Sequence, residues 1–388
     1  MSAPRTLAVL HLAEPSGPFK DLELHLGWIA DAGALEVVVP GPGRVADAFG
    51  GRALVTELRY EALTAPGGLG AAARLPARLR REVGAFRRRI RAAAPELVVV
   101  ATTTLPAALL AARLEGVPTL VYAAEVFTGA VSRRSRLGSV AGRSLLSTNR
   151  AMATGIVACS DLVGRQFGGA AVPTVYPPIE DAFSGGDGDA FRSRLGLGAD
   201  EPCVVAVGNI TRGRGQDLMI AAMPRVRSAI PGARCVLVGS PFPRGADLAF
   251  RDELSRLADV TGVADAVVFA GFSERVADAY AAADVVVNPA RFPEPFGRAA
   301  CEALLAGRPV VAARVGAADE VLRDGETASL VPPEDPEAIA AAVVSLVSRP
   351  EEAERLARAG RRDVLDRFAP QRSTAAFREA ILRAVGRS

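Results

Sequence analysis

Two glutamates, Glu294 and Glu302, flank a Pro-Phe-Gly turn in the stretch NPARFPEPFGRAACEALLAGRPVVAARVG, residues 288–316. A carboxylate accepts paired hydroxyl donors well, and such charge-assisted bonds are the strong kind. Glu294 sits in a loop and suits sugar hydroxyls. Glu302 lies a turn or more into a helix and suits a ribose diol. Two carboxylates repel a bare diphosphate, so cations must stand nearby. GNITRGRGQD, residues 208–217, supplies Arg212 and Arg214 at another strand-to-helix turn. The helix opening at Phe296, Gly297 and Arg298 adds free N–H groups and a positive dipole end, which suit a diphosphate. Each feature has a plainer reading. Glutamates spaced along a helix are usually solvated, and two arginines can simply decorate a turn. The turn between the glutamates and the apolar runs on either side favour the chemical reading.

Those runs tell what positions the residues. DVVVNPA reads as a buried parallel strand, so RFPEPFG lies at its carboxyl end, where open α/β sheets bind ligands. Apolar runs alternate with amphipathic segments from end to end, the pattern of α/β units. In the first half, strands are expected near 6–12, 35–39, 53–57, 97–101, 118–123 and 155–159, with helices near 20–31, 74–93 and 105–115. PGPGRVADAFGG is expected to be a loop. The alternation restarts after YPPIEDAFSGGDGDAFRSRLGL, residues 176–197, which reads as a hinge. The expected domains are residues 1–180 and 181–370, with a last helix, about 371–388, crossing back to the first.

Composition narrows the function classes. A chain of 388 residues suits two cores, and no apolar run reaches the roughly 18–20 residues that cross a bilayer. The N-terminus lacks a signal peptide's basic start. Four cysteines stand singly, with no zinc or disulfide spacing, and read as buried thiols in a reducing cytoplasm. A formal charge of +3 gives no case for nucleic acid. Lys20 is the only lysine among 46 basic residues, so the arginines reflect codon bias as much as function. One segment still stands out. Residues 74–91 carry eight arginines and one glutamate around an apolar stripe of Leu75, Leu79, Val83, Phe86 and Ile90. An ordinary solvated face is one reading; a basic surface that meets anionic lipid or an anionic acceptor is the other.

The motif E-P-F-G-x-x-x-x-E, followed by ALLAGRPVVA and VGAADEVLRDGETASLVPPEDPEAIAAAV, strongly resembles the retaining glycosyltransferases of family 4. The resemblance is close over about 200–370 and holds only in outline before that. It implies the GT-B fold, two Rossmann-like domains facing each other across a cleft. The second domain then binds a nucleoside-diphosphate-sugar and the first presents a hydroxyl-bearing acceptor. By resemblance Glu294 goes with the donor sugar and Glu302 with the ribose. Arg214 takes the place of a diphosphate-binding lysine. Asn209 stands where relatives often have arginine, with Arg212 as its substitute. EPSGPF puts Ser16 and Gly17 at the diphosphate. Many relatives carry a histidine after the fifth strand; this chain reads LVYAAEVFTG there, and Glu125 becomes the candidate for positioning the acceptor. His11 and His25, the only two histidines, lie outside that loop and read as packed or solvent-facing.

The expected reaction transfers a sugar with retained anomeric configuration. Arg212, Arg214, Glu294 and Glu125 form the catalytic set, and Ser16, Gly17, Asn209, Phe296, Gly297, Arg298 and Glu302 bind the donor. The departing diphosphate takes the acceptor's proton, so neither a dedicated base nor a metal or other cofactor is expected. The expected location is the cytoplasm, peripherally at the inner membrane face. Two rivals stay open: a sugar-nucleotide epimerase on the same fold, and a degenerate partner subunit, which the missing histidine motivates.

Overall fold

Valine-rich runs without polar interruption set the layers. LEVVV at Leu35–Val39 and LVVV at Leu97–Val100 are buried along their whole length, as strands covered on both faces by helices must be. The computed structural model describes residues 2–13, 17–63, 69–127, 136–169, 171–243 and 245–387, and its strands form two six-stranded sheets. The chain divides into two compact units, residues 1–178 with 370–388, and residues 179–369.

The first unit runs β1 (Thr6–Val9), α1 (Gly17–Asp31), β2 (Leu35–Val39), α2 (Val45–Ala48), β3 (Leu54–Glu57), α3 (Leu69–Ala93), β4 (Leu97–Val100), α4 (Pro106–Leu114), β5 (Thr119–Ala123), α5 (Arg136–Met152), β6 (Gly155–Ala158) and α6 (Asp161–Arg165). The second runs α7 (Gly188–Arg194), β7 (Cys203–Val207), α8 (Gln216–Ala229), β8 (Arg234–Val238), α9 (Gly245–Val260), β9 (Val267–Gly271), α10 (Val276–Ala282), β10 (Val285–Asn288), α11 (Arg298–Leu305), β11 (Val310–Ala313), α12 (Ala318–Val321), β12 (Ser329–Val331), α13 (Pro336–Ser348) and α14 (Pro350–Arg367). A final helix, α15 (Pro370–Ala384), belongs to the first unit.

Both sheets are parallel and share one winding. The first is ordered β3-β2-β1-β4-β5-β6 and the second β12-β11-β10-β7-β8-β9. In each the order reverses beside the first strand, between β1 and β4 and between β7 and β10. A crevice opens at such a reversal, outside the carboxyl ends of the strands.

Alternate strand residues feed opposite faces. Ala8, Val37, Val99 and Tyr122 pack with α1 and α15, while Leu7, Val9, Val98 and Val121 pack with α3 and α4. Helix α15 contributes Phe377 and Ile381, both fully buried, to the first of these cores. Phe377 stacks on His25 with ring centroids 4.3 Å apart. In the second unit Val204, Leu237, Val285 and Val311 pack with α8, α9 and α13.

Two local outcomes differ from the sequence reading. The glycine loop at 41–51 contains the single-turn α2. Most of the passage read as a hinge packs on the second unit: a Cβ on Gly186 would stand 2.1 Å from the Ala277 carbonyl oxygen, and one on Gly188 2.7 Å from that of Ala281. These glycines serve close approach to α10 rather than looseness. All four cysteines are buried free thiols.

Candidate functional site

At the second unit's reversal, the loops after β7 and β10 meet. After β7 the chain makes one 3₁₀ turn, Arg212–Arg214, and ends it at Gly215 with φ 72°. A Cβ on Gly215 would lie 2.0 Å from the Pro289 carbonyl oxygen, so only glycine lets the two loops approach this closely. The turn aims Arg214 across the crevice, its guanidinium 5.2 Å from the centroid of the Phe292 ring. There it forms an ion pair with Glu294.

Glu294 is 7 % exposed, and both its oxygens are engaged. Arg214 holds Oε1, and Asn288 Nδ2 donates to Oε2 at 2.6 Å. A buried carboxylate satisfied in this way has a fixed orientation. Its backbone is fixed as well. Ala317 N–H donates to the Glu294 carbonyl at 3.0 Å, and a Cβ on Gly316 (φ 61°) would be 2.4 Å from Glu294 backbone atoms. A pocket beside it is lined by Asn288, Glu294, Phe296, Gly297, Ala313 and Val315.

The helix that follows begins behind Gly297, in the left-handed region at φ 90°. Phe296 turns inward, edge-on to Phe368 at 4.9 Å. Glu302 sits one turn into α11, where the buried Tyr280 hydroxyl lies 3.1 Å from its Oε2 and Arg298 lies 3.5 Å from Oε1. Burial, together with the neighbouring Glu302 charge, pushes the Tyr280 phenol well above its usual range, so it keeps its proton as a donor.

Arg212 turns the other way. It pairs with Glu253 on α9 and stacks 4.8 Å from the Phe250 ring centroid, and the structure does not bring it to Glu294. Asn209 is exposed, and its carbonyl accepts from Gln216 Nε2 at 3.0 Å. Gly17 opens α1 in the other unit, and Ser16 lies outside the described residues.

Arg291 ties the crevice together and was not singled out from the sequence. Its N–H donates to the Gly213 carbonyl at 2.8 Å, and its guanidinium holds both Glu334 oxygens at 2.8 Å and also Asp217. Loops after β7, β10 and β12 are thereby joined by one planar fork. Asn288 had a signal, a polar residue ending an otherwise apolar strand. Tyr280 had none.

In the first unit Glu125 follows β5 and accepts from four donors. Thr102 Oγ1 binds Oε1, while Thr103 Oγ1 at 3.1 Å and the N–H groups of Thr103 at 3.3 Å and Ala124 at 3.2 Å bind Oε2. Along α3, Phe86 and Ile90 are buried as the apolar stripe requires. Four of the eight arginines at 74–91 are neutralised: Arg78 by Glu61 at 2.7 Å, Arg87 and Arg91 by Glu115 at 2.6 and 2.7 Å, and Arg89 by Glu36. Arg74, Arg80, Arg81 and Arg88 are exposed. Among the described residues no helix is long and apolar enough to cross a membrane, and no group of three or more His, Cys, Asp or Glu could hold a metal ion.

Residues 187–363 match the family model described as Glycosyl transferases group 1. Over 183 residues the chain is 39% identical to a D-inositol 3-phosphate glycosyltransferase of Mycobacteroides abscessus, covering 46% of this chain and 40% of that one. The chain thus spans about two fifths of the length of the curated relatives it matches. Anabaena HepE in complex with UDP aligns over 98% of this chain and 100% of that one, with TM-score 0.81 and 20% identity. Sucrose-phosphate synthase from Thermosynechococcus elongatus aligns over 99% and 100%, with TM-score 0.75 and 21% identity. The fold is GT-B, two Rossmann-like units, and the region carrying Arg214, Glu294 and Glu302 is similar to the group 1 glycosyltransferases.

Proposed function

We propose that the chain is a retaining glycosyltransferase of family 4, moving a sugar from a nucleoside diphosphate to an acceptor hydroxyl. The observation that carries this is the meeting of Arg214 and Glu294 at the second unit's strand reversal, with Glu302 one turn into α11. Arg214 and the N–H groups opening α11 stabilise the departing diphosphate electrostatically. Glu294 orients the sugar and Glu302 the ribose. The bond from sugar C1 to the diphosphate breaks, a C1–oxygen bond to the acceptor forms, and the acceptor's proton passes to the departing phosphate oxygen. A sugar-nucleotide epimerase would need acid and base groups across the ring, whereas Glu294 is tied to Arg214 and Asn288. HepE structures hold UDP and UDP-glucose, which makes UDP the first donor nucleotide to try.

A thermal-shift panel of UDP, GDP, ADP and dTDP tests the reading, because a ligand of the native state raises its melting temperature. One nucleotide should stabilise, and its sugar conjugate should be hydrolysed slowly or transferred. Stabilisation by none of the four overturns the reading.

We propose that the reaction takes place in the cytoplasm, a reading the buried free thiols support. Arg74, Arg80, Arg81 and Arg88 of α3 suit weak contact with anionic lipid, roughly 1 kcal/mol each near the surface. Salt-sensitive cosedimentation with anionic but not neutral vesicles is the expected outcome; absence from the anionic pellet at low salt makes them a solvated face.

A further inference from the structure

The first unit has its own strand reversal, between β1 and β4, and its side chains differ in kind from those of the second. The pairing of Val9 with Val100 and of Val100 with Val121 places His11 and Thr102 at matching positions just past the strand ends, with Glu125 following β5. Thr102 spends its one hydroxyl proton on Glu125, so in its 2.8 Å contact with Thr104 the donor must be Thr104. Thr104 Oγ1 is left as an acceptor. His11 is half-buried, and its ring makes no hydrogen bond among the described residues. Burial holds its imidazole below the ordinary range even though the Glu125 charge pulls the other way. A neutral imidazole offers one donor and one acceptor. No arginine among the described residues hydrogen-bonds Glu125.

We propose that this reversal is a subsite for an uncharged polyhydroxyl ring, with His11 and Thr104 reading its hydroxyls and Glu125 excluding phosphorylated versions of the same ring. The proposal rests on the glycosyltransferase reading and names the acceptor class for it. Hydroxyls both donate and accept, as the imidazole and Thr104 require. A phosphate beside a carboxylate with no arginine partner among the described residues meets repulsion, strengthened by the half-buried setting. The inference therefore parts from the curated relatives, whose name carries a phosphorylated inositol.

Two histidines make the test direct. In the full chain carrying ¹³C-histidine, His25 is sealed between Tyr122 and Phe377, its imidazole pushed down to about 3, so its signal stays flat above pH 5. The signal that responds is His11. With UDP saturating, matched probes are titrated at pH 7: myo-inositol against D-inositol 3-phosphate, and methyl α-D-glucopyranoside against glucose 6-phosphate. At least one neutral probe should give a saturable shift of the His11 signal, its phosphorylated counterpart binding tenfold or more weakly. Glu125→Gln should shrink that ratio towards unity. A phosphorylated probe that binds within tenfold of its neutral partner, or more tightly, overturns the proposal. So does a His11 signal that moves with no probe. If the nucleotide panel still stabilises the protein in that case, the acceptor assignment fails while the donor reading stands.

Discussion

The two units wind their sheets identically and place their reversals at equivalent strands, yet fill them with opposite chemistry. In the second, a guanidinium sits in the crevice against a nearly buried carboxylate. In the first, the carboxylate is satisfied by hydroxyls and backbone N–H groups, with the His11 imidazole just past β1. Topology chooses where a ligand binds; the side chains choose its charge. An arginine paired only with an internal carboxylate can be shared with an incoming anion. A carboxylate whose four donors, among the described residues, are hydroxyls and backbone N–H groups has no such cation to share.

The sharpest way to break this contrast is Arg214→Ala. Removing a preorganised donor from a developing oxyanion typically costs about 10²–10³ in turnover. Here it also leaves Glu294 buried with Asn288 alone, so the melting temperature falls too. Undiminished turnover at saturating donor would show that charge compensation comes from elsewhere, and Arg212 would be the next residue to change.

A second difference concerns pH. The His25 imidazole is pushed down to about 3 by burial alone, against an ordinary 6.5. Below pH 6.5 the unfolded chain takes up this proton and the folded chain does not, so stability falls as pH drops towards 3. By linkage the loss is about 2 kcal/mol between pH 8 and pH 5. The single tryptophan, Trp28, lies in α1 beside α15 and reports this unit alone. Urea midpoints followed by its fluorescence should decline with acid, and His25→Phe should flatten the decline. An unchanged pH profile in the variant would remove His25 as the cause.

Arg291→Lys keeps the charge but loses the planar fork that joins three loops. We expect nucleotide affinity to drop about tenfold through misplacement of the Arg212–Arg214 turn, or about 1.4 kcal/mol. Equal affinity in calorimetry would mean that Gly215 and the Gly213 contact suffice. The smallest effect belongs to Tyr280→Phe, which leaves one oxygen of Glu302 without its donor. Tyr280 acts on the nucleotide only through Glu302, so we expect a two- to tenfold loss of nucleotide affinity, about 0.4–1.4 kcal/mol. Affinity unchanged within error would detach Tyr280 from the ribose contact proposed for Glu302.

Both sheets were legible in the sequence because uninterrupted valine runs have few other uses in a chain this size. Glu294 and Glu302 were legible because a stiff turn between an apolar strand and a helix is a rare setting for carboxylates. The orientation of the two arginines was not. Arg212 and Arg214 are two residues apart in a one-turn segment, and the Phe250 and Phe292 rings that draw them in opposite directions lie far along the chain. Tyr280 and Glu302 are separated by a strand and a loop, and no local pattern links them. The Thr102–Thr104 run was not singled out from the sequence. Its meaning depends on β4 and β5 being neighbours in the sheet.

The placement of α15 has a consequence for how the molecule is made. Because residues 370–388 complete the first unit, the second is an insertion within it. During synthesis the inserted unit has all its strands before Phe377 and Ile381 exist, and until they arrive the first core stays open over His25 and Tyr122. Domains usually close in the order in which they emerge from the ribosome. Here the part translated first is sealed only after the second unit has been made, by a helix that follows it.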